Sequence, residues 1–430
     1  MGSYVTYLKA VFILLGGVLV MVQTTAQNAV LPKEFPIGFW CAPPEAFLTL
    51  EQFGKMKEAG FSVVLPPCEG GATVERNLKI LELCQKMGLK AILSDSRIPL
   101  AIGENKELVA GIQAMVKDYR KQSALLGYIV TDEPGAKQFA GLAEVVRALR
   151  KAAPSHLALI NLFPNYASND RIASPSQLNT NTYDEYLEAY LKVVAPDVLS
   201  YDHYHFLKDS DRVGFLGNLA SAQKAAEAAG VPFWNIILSV QPNGGYRALN
   251  ENELRYEAMQ SLAYGVKGLI YFTYWLPPDD NLYQWSHAIM ARDGKEGPLY
   301  QPVKRVNTDV RMFAKYLYRA RCVETFQTGS IPEDGTKLTQ TNLVQVTKES
   351  DLTIGIFHDG EGYTSALITN RDYRKGTEVE VQLLAGNMVL EYLDNSTNKM
   401  VPIAIKRGED GRVKWACPLP PAGATLVRWK

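Results

Sequence analysis

From residue 35 to about residue 320, short apolar runs alternate with longer stretches whose apolar residues recur three and four apart. The short runs are FPIGFWC (35–41), FSVVLPP (61–67), LKAILSD (89–95), LLGYIVTDE (125–133), HLALINLF (156–163), VLSYDHYHF (198–206), FWNIILSVQ (233–241) and GLIYFTYW (268–275). Runs of this length, bounded by turn residues, predict strands buried on both faces. Stretches such as NLKILELCQKMG and ELVAGIQAMVKDYRK predict amphipathic helices between them, and several end in Gly before the next strand, a helix stop signal. VNTDVRMFAKYLYRA (306–320) supplies the eighth helix. Eight strand–helix units predict an α/β fold of the (β/α)8 TIM-barrel type. A doubly wound open sheet fits less well, because no Gly-rich phosphate turn follows the first strand.

From about residue 335 the period shortens. LTIGIFHDG, YTSALITN, EVEVQLLAG, RVKWACPLP and ATLVRWK alternate apolar and polar residues and are separated by turns, with no helix between them. This predicts a small antiparallel β-sandwich over 335–430, after a barrel over 27–334. At the other end, MGSYVTYLKA, the apolar VFILLGGVLVMV and the small, polar QTTAQNA read as a signal peptide over 1–26, cleaved after Ala26. The apolar run is short for a bilayer span. The expectation is export to the periplasm or exterior of a Gram-negative bacterium, with no membrane span after cleavage.

Lys+Arg and Asp+Glu are equal at 45 each, so nothing in the charge draws the chain to nucleic acid or an anionic membrane. The five cysteines are scattered, with neither a disulfide framework nor a zinc motif. Cys41 and Cys68 end neighbouring strands, but the reading here is buried free thiols. His203 and His205 share a face without the further inward histidines a metal hydrolase needs, so no metal and no cofactor is expected.

Side chains alternate along a strand, and in a barrel the inward ones near the C-terminal ends build the site. In GYIVTDE, an outer Tyr128 and Val130 leave Ile129, Thr131 and Glu133 inside. In VLSYDHYHF, Ser200, Asp202 and Tyr204 point inward. In FWNIILSVQ, the apolar row Trp234, Ile236, Leu238 and Val240 reads as outer, leaving Asn235, Ser239 and Gln241 inside. Asn161, Trp40 and, beside Thr273, Trp275 complete the inward set. Glu69 and Asp95 end the second and third strands as further candidates for binding substrate hydroxyls, and Trp285 and His287 follow the eighth. Carboxylates for acid–base work, amides for hydroxyls and flat aromatics for pyranose faces together point to a carbohydrate. Glu133 is the candidate general acid. Asp132, its neighbour in sequence, raises its pKa by disfavouring a second charge.

TDEP at the end of the fourth strand and ALNENELRYEAMQSLAYGVKGLIYFTYW (248–275) resemble the barrel glycoside hydrolases, in particular the clan with a β-galactosidase-like barrel and a C-terminal β-sandwich. That clan shows Asn-Glu-Pro there, with the Glu as acid/base; here Asp132 replaces the Asn. Gln241 stands where the resemblance implies a nucleophilic Glu. Two mechanisms follow. In one, Glu133 is the acid and Asp202 the second carboxylate; strand parity favours it, since alternation turns Asp132 away from Glu133 unless a bulge intervenes. In the other, Asp132 and Glu133 act together, as in the substrate-assisted hexosaminidases they also resemble. A third reading, from another class, is a non-catalytic glycan-binding barrel.

Overall fold

The computed structural model describes residues 31–337, 344–384, 389–403 and 412–430; the expected signal peptide lies outside them. Eight parallel strands close a barrel in chain order: β1 Ile37–Phe39, β2 Val63–Val64, β3 Lys90–Leu93, β4 Leu125–Asp132, β5 Leu157–Leu162, β6 Leu199–Asp202, β7 Phe233–Leu238 and β8 Leu269–Phe272, with β8 pairing back onto β1. The helices between and after them are α1 Leu50–Glu58, α2 Val74–Met87, α3 Lys106–Tyr119, α4 Phe139–Ala152, α5 Tyr183–Val193, α6 Phe215–Ala229, α7 Glu251–Ala263 and α8 Tyr300–Leu317. Their starts follow local chemistry: Thr49, Thr73, Asn105 and Thr182 accept a first-turn N–H, and Asn250 with Glu253 forms a capping box.

The barrel interior is a packed apolar core of Val63, Ile92, Leu126, Leu157, Leu159, Val198, Trp234, Ile236 and Ile270. A second apolar layer lies between barrel and helices. This arrangement corrects two parity readings. Trp234 and Ile236 of β7 fill the barrel, whereas Asn235 points outward and donates to Ser261 Oγ on α7 at 2.9 Å. On β8, Ile270 and Phe272 face inward, while Trp275 is buried against Phe47 at a ring separation of 4.8 Å. A barrel interior is as apolar as its outer layer, so an apolar row does not identify the outside.

A third correction concerns sulfur. Cys41 and Cys68 form a disulfide that ties the chain after β1 to the chain after β2. Cys84 and Cys322 are buried free thiols, and Cys417 is half-buried.

The C-terminal region is a sandwich of two antiparallel sheets. One runs in the order Arg321–Gln327, Leu352–His358, Thr364–Asn370, Ala424–Trp429, Leu390–Asp394, Lys399–Pro402; the other is Val344–Val346, Thr377–Leu384, Arg412–Leu419. Its first strand, Arg321–Gln327, is therefore drawn from the chain before residue 335. Ile354, Ile368 and Val427 from one sheet meet Val344, Val381 and Val413 from the other in a shared core. The outer face of the larger sheet sends Phe357, Leu367 and Leu426 into the layer that covers the barrel. There Gln260 of α7 donates to Thr369 Oγ1 at 2.9 Å. Gly355 lies so close to α7 that a Cβ would sit 2.1 Å from the Ala263 carbonyl oxygen.

Candidate functional site

The site begins with a register shift. Ile129 of β4 pairs with Leu159, but Thr131 pairs with Ile160 and Asp132 with Asn161, so one extra residue is accommodated between 129 and 131. Such a bulge flips the alternation beyond it. Thr131 therefore matches the outward Ile160, which corrects its inward reading, and Asp132 matches the inward Asn161. Glu133 then takes a left-handed backbone, φ 46°, and its N–H donates to Asn161 O at 2.8 Å. The next turn is fixed by Tyr186, whose hydroxyl donates to Pro134 O at 2.7 Å. Bulge and left-handed residue together bring two sequence-adjacent carboxylates to one cavity, which plain alternation forbids.

Asn161 organises the cluster. Its Nδ2 donates to Asp132 Oδ1 at 3.0 Å and to Asp202 Oδ1 at 2.9 Å, and its Oδ1 accepts from Ser200 Oγ at 3.2 Å. The Asp202 carboxyl is buried and in hydrogen-bond contact with Glu133. Two carboxyls that touch hold a proton between them. Burial and the negative charge of Asp132 push Glu133 up to about 7, while the hydrogen bond with Asp202 pulls the other way. Burial, with Glu133 and Asp132 nearby, pushes Asp202 well above the usual range. Asp132 is also raised by its surroundings, although the Asn161 hydrogen bond opposes this, and its side chain stays open to the solvent of the cavity.

The cavity has a volume of about 270 Å³ at the C-terminal ends of the strands. Asp132, Glu133, Asn161 and Asp202 line it, with Trp40, Tyr204 and Trp285 among the aromatic walls. The remaining expected residues lie elsewhere. Trp275 packs as described. Asp95 is buried and held by Arg97 and by the Tyr119 hydroxyl of α3, each at 2.8 Å, so it anchors a helix. Glu69 stays outside the lining, its carbonyl accepting from Arg76 at 2.8 Å. Gln241 sits beside the cavity in a short ladder with Ser286; its Nε2 donates to Tyr246 O at 3.2 Å and its Oε1 accepts from Ser286 Oγ at 3.1 Å. His203 faces Asn218 and His287 faces Leu249 O, both away from the cavity.

Parity did not find Tyr166, Tyr246, Phe272 and Tyr283, which complete the aromatic walls. Phe272 was hidden by the inverted reading of β8, and the tyrosines come from loops, where alternation says nothing. Where clan resemblance implies a nucleophile at the end of β7, the lining residues are Leu238 and Pro242. Among the described residues no cluster of three His, Cys, Asp or Glu is arranged to hold a metal ion. A larger open cleft, about 750 Å³, lies where the barrel meets the sandwich. Its Arg247 is consumed by Asp211 and Glu253, so it offers no comparable chemistry.

No protein-family model and no curated protein sequence matches the chain. Solved structures do match in fold. A catalytic mutant of a GH42 β-galactosidase from G. stearothermophilus superposes with a TM-score of 0.61 and 8% identity, over 93% of this chain and 99% of its own. A family 39 glycoside hydrolase from Bacteroides cellulosilyticus WH2 gives 0.51 and 12%, over 92% and 81%. A β-galactosidase from Marinomonas ef1 gives 0.50 and 12% over 65% of this chain, which spans only 60% of that structure. The barrel-plus-sandwich fold is thus one that glycoside hydrolases use.

Proposed function

We propose that the chain is a glycoside hydrolase. The observation that carries this is the convergence of Asp132, Glu133 and Asp202 on Asn161 in an aromatic-walled cavity at the C-terminal face of the barrel. Catalysis in this fold is built at that face, and the fold's relatives include β-galactosidases. Glu133 is the general acid. Held near 7, it keeps a proton at neutral pH and delivers it to the leaving oxygen. Burial and the neighbouring Asp132 charge raise that pKa, and the hydrogen bond with Asp202 moderates the rise.

The second carboxylate is a matter of space. Acid and partner carboxyls stand about 5–5.5 Å apart in retaining enzymes and about 6.5–9.5 Å apart in inverting ones, with the sugar between them. Glu133 and Asp202 touch, which leaves no such gap. Asp132 has one oxygen held by Asn161 and a side chain open to the cavity. These observations favour the substrate-assisted reading, in which Asp132 accepts the N–H of a 2-acetamido group while Glu133 protonates the leaving oxygen. The disulfide between Cys41 and Cys68 supports export, since such bonds persist in oxidising compartments.

The test is hydrolysis of a panel of aryl glycosides and polysaccharides by the purified protein and by Glu133→Gln. Turnover by the wild type that is lost in the variant is the expected result. Binding without turnover in both would replace the hydrolase with a glycan-binding barrel.

A further inference from the structure

Among the described residues nine large apolar side chains are exposed, and six of them, Leu100, Tyr166, Ile172, Val213, Leu282 and Tyr283, lie on loops that follow barrel strands. The apolar surface is thus concentrated on the face that carries the cavity. Tyr166 and Tyr283 line the cavity itself. An aromatic path runs outward: Phe272 lies 6.0 Å from Trp285, and Trp285 lies 5.1 Å from Tyr283. Beyond it Leu282 is 84% exposed.

The carboxylates of this loop hold its own backbone. Asp280 Oδ1 accepts the N–H groups of Leu282 and Tyr283, both at 2.7 Å. Asp279 accepts from Trp285 N at 2.8 Å and from Arg292. Gln284 Oε1 accepts from Asn243 at 2.7 Å. The loop is folded by its polar residues and presents its apolar ones. Inside the cavity three carboxylates and an amide stand among the aromatic walls. The cavity, about 270 Å³, opens directly onto this loop through Tyr283 and Trp285.

We propose that this opening, the mouth of the cavity, binds an apolar aglycone. The substrate is then a glycoside whose leaving group is an alkyl or aryl body resting on Tyr283 and Leu282, not the next sugar of a polysaccharide. Asp280 Oδ1, Asp279 and Gln284 Oε1 are engaged in holding the loop, and what it presents outermost is the apolar side chain of Leu282. An apolar group covers surface that water now wets. The inference rests on the hydrolase reading for its leaving group, but the mouth can be tested by binding alone.

The experiment uses methyl, butyl, hexyl and octyl glycosides of glucose, galactose and N-acetylglucosamine, beside oligosaccharides of two to five of the same sugars. The wild type should gain roughly two- to fourfold in kcat/KM for each methylene that reaches the mouth. Leu282→Ser and Tyr283→Ala should flatten that slope within each variant's own series. Rates that climb with oligosaccharide length and not with alkyl length would overturn the proposal, as would an unchanged slope in both variants. If nothing is hydrolysed, the hydrolase reading fails separately. Quenching of tryptophan fluorescence then reads binding of the same alkyl series: tightening with chain length in the wild type but not in Leu282→Ser supports the mouth, and binding indifferent to length overturns it.

Discussion

Asp132 and Asp202 accept hydrogen bonds from the same nitrogen, Nδ2 of Asn161, at 3.0 and 2.9 Å. One neutral amide thus holds two carboxyl groups in fixed relation. A hydrogen bond to a charged group contributes about 1.5–3 kcal/mol. Asn161→Ala should therefore lower kcat/KM by roughly ten- to a hundredfold in steady-state assays. Asn161→Asp should be worse, because it puts an acceptor where two acceptors need a donor. Full activity in the alanine variant would show that the amide is incidental.

Glu133→Gln should cut hydrolysis of poor leaving groups by about 10²–10⁴-fold, the usual contribution of a positioned acid. Leaving groups that depart without protonation should suffer far less. A loss of the same size across a series of substituted phenyl glycosides would mean that Glu133 has another task.

Asp132 and Asp202 are separated by comparing Asp132→Asn with Asp202→Asn on one good 2-acetamido substrate. The first should lose most turnover, since the amide offers a donor where an acceptor is required. The second should keep more turnover and leave the basic limb of its pH profile near 7, as in the wild type. Burial and the Asp132 charge, which raise Glu133, are untouched, and an amide at 202 still donates to its carboxylate as the present hydrogen bond does. A dead Asp202→Asn beside an active Asp132→Asn would restore Asp202 as the second carboxylate.

Stability should follow pH through the same groups. Glu133 lies at about 7 in the folded protein, against about 4.3 in an unfolded chain, and Asp202 is raised as well. The folded state thus holds protons that the unfolded state has released. Their contribution is fully present below about pH 4 and is lost as pH rises through 7. Glu133→Gln should raise Tm by a few degrees at pH 8 and by much less at pH 4. An equal gain at both would point to a packing effect instead.

The Cys41–Cys68 bond spans a sequence separation of 27, and closing a loop of that size contributes about 3–4 kcal/mol. Cys41 follows Trp40, a wall of the cavity. Cys41→Ser with Cys68→Ser should lower Tm by several degrees and raise KM more than it lowers kcat. A change in Tm alone would leave the bond purely structural.

The sequence announced the barrel because eight apolar runs separated by helical periods admit few other folds. It announced Asn161, Asp202 and Trp40 as cavity residues because their strands alternate without interruption. It misled on β7 and β8, where Trp234 and Phe272 turn inward to fill a core that parity assigned to polar residues. Plain alternation turned Asp132 away from Glu133 unless a bulge intervened, and the bulge itself could not be located, since it is a choice of pairing partner and leaves no mark on composition. The cavity tyrosines were out of reach because loop residues are placed by tertiary contacts. The disulfide was legible only as two strand ends that happened to be neighbours.

Gly355 and the Ala263 carbonyl set a limit on how this chain can be divided. Sheet and helix backbones are nearly in contact there, and no side chain fits between them. The sandwich is consequently not an interchangeable module that could be shuffled onto another barrel or cut away. Barrel and sandwich share one solvent-excluded layer and should melt as one cooperative unit. A protein engineer who wants the barrel alone would have to redesign the face of α7 that the sandwich covers.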